Sequence, residues 1–354
     1  MEEALNFLAL CDDEEAFGDF EVALLHNIEN SVRNIHKAYD RLDLRTLDPE
    51  ECTLMFRFEK EHLPRLAAAL GVPSEIRTRN RHSIGGVEAL CILLRRLAYP
   101  NRLTDLVHYF GISSTYISII CKNVMNVILE RNKELLLRIQ SNSWLHREKF
   151  EYYAQAIAAK GCPIPNCWGF IDGTARAICR PSINQEHYYS GHKRKHCLKY
   201  QSVLCPDGII ANLQGPFHGR RHDAAMLRDS GLYEQLLQTA VFPDKQYVIY
   251  GDSGYPIRQL LLRPFQGRNI SEDQQSFNAA MSGLRQSVEW GFAKVVNDFA
   301  FIDFKKNQKL LLQDVGSMYK TAVLLSNCHT CLYGSQVGSF FNTQPPSLEE
   351  YLNV

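Results

Sequence analysis

The sequence predicts an α/β fold, a mixed sheet flanked by helices, preceded by an all-α region. Three observations lead there. From residue 4 to about residue 130, apolar residues recur at three- and four-residue steps, and nothing in that stretch reads as sheet. The texture then changes to short apolar runs separated by turn sequences, beginning with Cys167-Trp168-Gly169-Phe170-Ile171-Asp172. A long helical period returns over residues 278–299.

With 354 residues, 45% hydrophobic and 22% charged, the chain has material for a substantial core and, by length, roughly two domains. The expected division is a helical region over 1–145, a sheet-containing domain over 146–340 and a tail over 341–354, introduced by Pro345-Pro346. No apolar run approaches the ~20 residues that span a bilayer. The first twenty residues are acidic where a signal peptide starts basic, so a soluble, unsecreted chain without a membrane role is expected. Eleven cysteines without paired spacings read as thiols, mostly buried, of a reducing compartment. Cys328-His329-Thr330-Cys331 lacks the second pair a zinc site needs and reads as an incidental helix or loop sequence. The formal net charge is zero, but the first thirty residues are acidic while Arg176, Arg180, Lys193, Arg194, Lys195 and Lys199 crowd a central stretch.

Within the helical region, two segments over about 103–129 meet at Phe110-Gly111-Ile112-Ser113. There Gly111 permits a tight turn and Ser113 can cap the second helix. This is a helix-turn-helix pattern. Ile117, Ile120, Val124 and Ile128 form its buried stripe, which leaves Ser114, Ser118 and Lys122 outward at four-residue spacing, where they could touch DNA. An ordinary helix-packing unit accounts for the pattern equally well.

After the first strand, residues 198–204 and 209–213 flank Cys205-Pro206-Asp207-Gly208 and read as a hairpin. A helix is expected over 223–237, a strand over 246–250 ending at Gly251-Asp252, the long helix over 278–299 and a last helix over 310–325. Strand, hairpin, helix, strand, helix is the skeleton of a ribonuclease-H-like core. On it, Asp172, Asp252 and Glu289 fall where the fold could assemble them, although long sequence distances separate them. Leu284, Val288, Phe292, Val295 and Phe299 make one apolar helix face, and Arg285 and Glu289 form an i, i+4 pair at its edge. A plain surface ion pair is the alternative. Three clustered carboxylates repel one another unless hard cations neutralise them, so Mg²⁺ or Mn²⁺ is the expected cofactor. Two such ions suit in-line displacement at a phosphodiester.

Asp223 follows Gly219-Arg220-Arg221-His222 at a helix start, as either an N-cap or a further metal ligand. His218 and His222 lack a third nearby ligand for zinc. Residues 187–196 interleave Tyr188 and Tyr189 with Lys193, Arg194 and Lys195, a combination suited to phosphate and bases, with a solvated loop or a nuclear import signal as alternatives.

Five stretches together resemble the PIF/Harbinger transposases, a DDE-type endonuclease family. They are Gly169-Phe170-Ile171-Asp172-Gly173-Thr174, Lys199-Tyr200-Gln201-Ser202-Val203, Gly219-Arg220-Arg221-His222-Asp223, Gly251-Asp252-Ser253-Gly254-Tyr255-Pro256, and Asn278 with Arg285-Gln286-Ser287-Val288-Glu289. Their order matches from about residue 165 to 304, and the upstream helices are similar to that family's layout. The resemblance implies cleavage at transposon ends and strand transfer, with Asp172, Asp252 and Glu289 as the acidic triad and Asp223 as an additional metal contact. It also implies a Myb-like DNA-binding partner.

The expectation is therefore a metal-dependent DNA endonuclease or transposase of the nucleus, possible also in the cytoplasm, and possible as a homo-oligomer. Lys193, Arg194, Lys195, Lys199 and Arg285 would hold the nucleic acid, and Arg285 could instead orient Glu289. A domesticated, catalytically silent DNA-binding or scaffold protein is the rival from a different class, and a nuclease acting on RNA is the third.

Overall fold

The structure, a computed structural model, describes residues 41–77, 83–310 and 312–354; the helical pattern expected before residue 41 and the acidic first thirty residues lie outside them. Helices come first. Asp48 starts α1 (Pro49–Phe56) by accepting from the amides of Glu50 and Glu51, and Pro49 sits in the first turn, where a missing N–H breaks no helical bond. After α2 (His62–Ala69), β1 (Glu75–Arg77) and β2 (Ser83–Gly85) pair antiparallel with Ile76 opposite Ile84. This corrects the expectation of helices alone. Each strand offers one buried isoleucine between exposed neighbours, too short a run for alternation to declare itself.

The next helix, α3 (Gly86–Ala98), is buried along most of its length. α4 (Leu103–Phe110) ends at Gly111, whose φ of 63° few other residues adopt readily, and α5 (Ser114–Leu137) departs at 94°. Ser113 accepts from the Tyr116 amide at the start of α5. Ile117, Ile120, Val124 and Ile128 are fully buried, while Ser114 and Ser118 are half-buried and Lys122 is exposed. Among the described residues, no single helix is long and apolar enough to cross a membrane.

α6 (Arg147–Ala158) leads into the sheet, built from β3 (Cys167–Ala177), β4 (Tyr189–Ser190), β5 (Lys195–Leu204), β6 (Ile210–His218), β7 (Val248–Tyr250) and β8 (Leu261–Leu262), with short α7 (Gln185–Tyr188) before β4. The strand order is β6-β5-β3-β7-β8, and β4 pairs with the first residues of β5. One side is antiparallel, β6 on β5 and β5 on β3; the other is parallel, β7 on β3 and β8 on β7. The expected hairpin is present. At its turn the buried carboxylate of Asp207 accepts from the Ile209 amide and the Tyr153 hydroxyl, and Gly208 adopts a φ of 90°. A parallel β3–β7 pairing needs a crossover connection, and α8 (Asp223–Ser230) and α9 (Leu232–Thr239) lie on it. They replace the single helix expected over 223–237, because Gly231 at a φ of 62° breaks it.

α10 (Glu272–Asp298) begins before the expected residue 278, since Ser271 and Gln274 form a capping box. Its apolar face, with Leu284, Val288, Phe292 and Val295, packs into the core. At Gly291 the helix lies so close to the sheet that a Cβ would stand 2.7 Å from Leu204 Cδ1. α11 (Val315–Tyr333) starts at Asp314, which accepts from the Ser317 amide, and contains Cys328, His329 and Cys331 as helix residues. All described cysteines are free and most are buried.

After α12 (Gln336–Phe341), the stretch expected as a tail folds back as α13 (Leu348–Leu352), opened by a Ser347–Glu350 capping box. Tyr351 is fully buried; its hydroxyl accepts from Asn327 at 2.8 Å and its ring lies against Trp144. The helical layer is docked on the sheet domain. Arg57 donates to the Asp298 carbonyl at 3.2 Å, the Glu59 amide donates to the Tyr333 hydroxyl at 2.9 Å, and Arg65 pairs with Glu349 at 2.6 Å. One continuous apolar core runs beneath both. Tyr351→Ala should therefore lower the unfolding free energy by about 3–5 kcal/mol, measured by urea titration, with Tyr351→Phe recovering most of the loss.

Candidate active site

The acidic residues gather where β3 and β7 run side by side. Asp172 lies in the middle of β3, opposite Ser202 of β5, and only 8% of its surface is exposed. Its Oδ1 accepts from the Gly173 amide at 2.9 Å, and Arg285 of α10 donates from Nη1 to its Oδ2 at 3.1 Å. Successive strand residues face opposite ways, so position 173 looks the other way, toward α8. A Cβ there would lie 3.0 Å from Oδ1 of Asp223, the first residue of α8. Asp252 follows β7, and its Oδ1 accepts from the Gly254 amide at 2.9 Å. A Cβ on Gly254 would stand 2.8 Å from Asp223 Oδ2 and 3.1 Å from Asp252 Oδ1. Glycine at this position keeps open a space that two carboxylates share.

Glu289 projects from α10 one turn beyond Arg285 and is exposed; with Gln286 and Ser282 the two line a shallow, open cleft of about 410 Å³ on the surface of α10, its lining drawn from that helix alone. The electrostatics tie the acids into one field. Burial pushes Asp172 up to about 6, the nearby Arg285 charge and the Gly173 amide oppose it, and the charges of Asp252 and Glu289 raise it further. Asp223 is also raised, by burial and then by Asp252, against the pull of Lys199, His222 and Lys193. Tyr255 is fully buried, its hydroxyl has no hydrogen-bond partner, and its ionisation is disfavoured by burial and by Asp223, Asp172 and Asp252.

The fold thus places the charges of Asp252 and Glu289 within reach of Asp172, and that of Asp252 within reach of Asp223. Asp172 and Asp223 approach β3 from opposite faces, and Asp252 is the acid whose charge acts on both. Among the described residues, the trio with one ligand atom each within 4.8 Å of the others is Glu59, Glu61 and His62, on the helical layer. An all-oxygen donor set, a gap held open by Gly254 and Gly173, and an orphaned tyrosine hydroxyl beside it fit a hard divalent cation.

Of the expected basic residues, Lys193 and Arg194 are exposed in the turn before β5 and Lys195 is half-buried. Lys199 donates to the Arg221 carbonyl at 2.6 Å. Lys193 and Lys199 act on Asp223, so this loop borders the acids. Arg176 instead packs over Tyr319 and beside Asp303. His218 stacks near His187 and Tyr188. Ser114, Ser118 and Lys122 are on α5, not on the elements that carry the acids. Arg285, expected to pair with Glu289, turns to Asp172, whose buried charge has more to gain from a partner than an exposed one. Tyr255, Gly254 and Gly173 carry no sequence signal beyond lying next to the acidic positions.

Because Asp172 ionises about two units above its ordinary range, the folded protein holds a proton that the unfolded chain releases between about pH 4 and 6. Stability contributed by this group is full below that window and lost as pH rises through it. In chelator, Asp172→Asn should therefore unfold with wild-type stability near pH 4 and exceed it by about 1–3 kcal/mol above pH 6, read from denaturant titrations across pH.

Comparison with known proteins matches residues 171–327 to a family model described as DDE superfamily endonuclease, a span that contains all four acids. The chain is 24% identical over 249 residues to "Protein ALP1-like" of Arabidopsis thaliana, covering 65% of this chain and 57% of that protein. It is 31% identical over 124 residues to "Probable transposase for insertion sequence element IS702" of Microchaete diplosiphon, covering 34% of this chain and 42% of that protein. The chain thus spans about half the length of the curated relatives it matches. No solved structure matches. Residues 171–327 thus resemble a DDE superfamily endonuclease domain, and the acidic residues lie inside that span.

Proposed function

We propose that this protein is a divalent-metal-dependent endonuclease acting on DNA, with Asp172, Asp252 and Glu289 as the metal-binding catalytic set and Asp223 as a fourth ligand. The observation that carries this reading is the convergence of Asp172, Asp252 and Glu289 in one electrostatic field, although they are far apart in sequence. The sheet order, antiparallel on one side of β3 and parallel on the other, supports a ribonuclease-H-like core. Mg²⁺ or Mn²⁺ bound there would supply an activated water or 3′-hydroxyl and a counter-charge for the leaving oxygen.

The chain's own residues do the rest. The α10 cleft gives a strand a place to lie beside Glu289, and the exposed Lys193 and Arg194, with Lys195 and Lys199, offer positive charge to its phosphates. Arg285 reaches both the cleft and Asp172. The bent α4–α5 pair supports the helix-turn-helix reading, with Ser114, Ser118 and Lys122 on its DNA side. Strand transfer, a Myb-like DNA-binding partner, a homo-oligomeric assembly and a nuclear location are proposed with it, on the family resemblance. Similarity to the probable insertion-sequence transposase of Microchaete diplosiphon supports transposition.

A second reading, a silent DNA-binding descendant, is favoured by one feature: Asp172 is already neutralised by Arg285. Plasmid nicking separates the two. With Mn²⁺ or Mg²⁺, the wild type should nick supercoiled DNA, and Asp252→Asn and Glu289→Gln should each lower the rate by about a hundredfold or more while unfolding normally. Nicking that survives either change ends the catalytic assignment, and faster cleavage of a matched RNA duplex would move the substrate to RNA. Gly254→Val, which fills the gap between Asp223 and Asp252, should lose metal-dependent nicking with its circular dichroism unchanged.

A further inference from the structure

We propose that Arg285 is a resident counterion that competes with the divalent cation for Asp172, so that the site opens fully to metal when a DNA phosphate draws the guanidinium away. This rests on the metal-binding reading above and adds an order of events to it. Both oxygens of Asp172 are occupied by the protein itself, Oδ1 by the Gly173 amide and Oδ2 by Arg285 Nη1. Among the described residues, Asp172 is the member of the acidic set that is ion-paired to a basic side chain. It is also the most deeply buried of the four, and so the one that most needs a positive neighbour.

A cation reaching Oδ2 meets a full positive charge at hydrogen-bond distance and must displace it. Arg285 has somewhere to go. Its side chain is 28% exposed, it stands on α10, and the same residue lines the cleft with Gln286 and Glu289. A guanidinium swung into that cleft presents its fork to a phosphate, which it binds in the bidentate manner it uses for carboxylates. Asp172 is then left with a bare Oδ2 and a buried charge, the strongest attraction for a cation in the cluster. Metal affinity measured without DNA is lowered by the fraction of molecules in which Arg285 occupies Asp172. By linkage, DNA that captures Arg285 tightens metal binding, and metal that releases Arg285 tightens DNA binding.

The experiment uses Mn²⁺ alone, with the full chain at about pH 8, above the range in which Asp172 of the wild type ionises. Binding is followed by loss of the free-ion electron paramagnetic resonance signal. Arg285→Gln should bind Mn²⁺ about tenfold more tightly than the wild type, and Arg285→Lys, which keeps the charge, should stay within about threefold of it. Equal or weaker binding by Arg285→Gln overturns the proposal. A second measurement needs no variant: phenylglyoxal modification of Arg285, mapped by mass spectrometry, should increase when wild-type protein is saturated with Mn²⁺. Unchanged or reduced modification also overturns it. Failure of the underlying reading looks different, because then neither wild type nor Arg285→Gln takes up Mn²⁺, or uptake survives Asp252→Asn.

Discussion

Four carboxylates, one within β3, one after β7 and one on each of α8 and α10, are gathered around the sheet, and the fold is shaped by how each charge is tolerated. Asp172, the most buried, has an arginine and a backbone amide. Asp223 stands at the first turn of α8, where the unpaired amides and the helix dipole favour a negative charge. Asp252 accepts from the Gly254 amide in its own turn. Glu289 stays in water on the outer side of α10. Each solution is local, and none is complete: burial first, and the neighbouring carboxylates second, still raise the ionisation of Asp172 and Asp223.

That residual field explains features that a purely structural sheet edge would not need. Gly254 leaves empty the volume that any other residue would fill with a carbon between the carboxylates of Asp223 and Asp252, and Gly173 leaves room beside Asp223 and Met226. Tyr255 buries a hydroxyl with no partner, an arrangement that costs about 1–3 kcal/mol wherever it occurs. The space kept by Gly254 makes sense if oxygen ligands are being held ready for a cation. The large core beneath the sheet and helical layers supplies the stability that such a site draws down.

The parts of the fold legible in the sequence were those with a strong period or a chemical punctuation mark. The apolar run up to Asp172, the Cys205-Pro206-Asp207-Gly208 turn and the stripe on α5 all appear where the pattern places them. The strands β1 and β2 escaped because three residues with one inward side chain give no alternation to detect. Gly231 broke a helix that its apolar spacing alone would continue, and the Ser347–Glu350 box turned an expected tail into a docked helix. At the site, the acidic positions were legible through the motifs, but the arrangement was not. Which partner Arg285 takes depends on the depth of Asp172, a property of the folded sheet that helix spacing does not contain.

That choice of partner bears on how such a site avoids harm. A nuclease that bound its cations tightly in the absence of DNA would carry an assembled catalytic centre at all times. A centre whose most buried ligand is guarded by a cationic side chain on the substrate cleft is assembled by the substrate itself. The device needs only a carboxylate too buried to stay unpaired, which β3 provides in Asp172, and an arginine long enough to reach two places, which α10 provides by setting Arg285 one turn before Glu289. On this view, the i, i+4 spacing of Arg285 and Glu289 serves to hold the guanidinium between the proposed metal ligands and the strand, and the arginine pairs with Asp172 instead of Glu289.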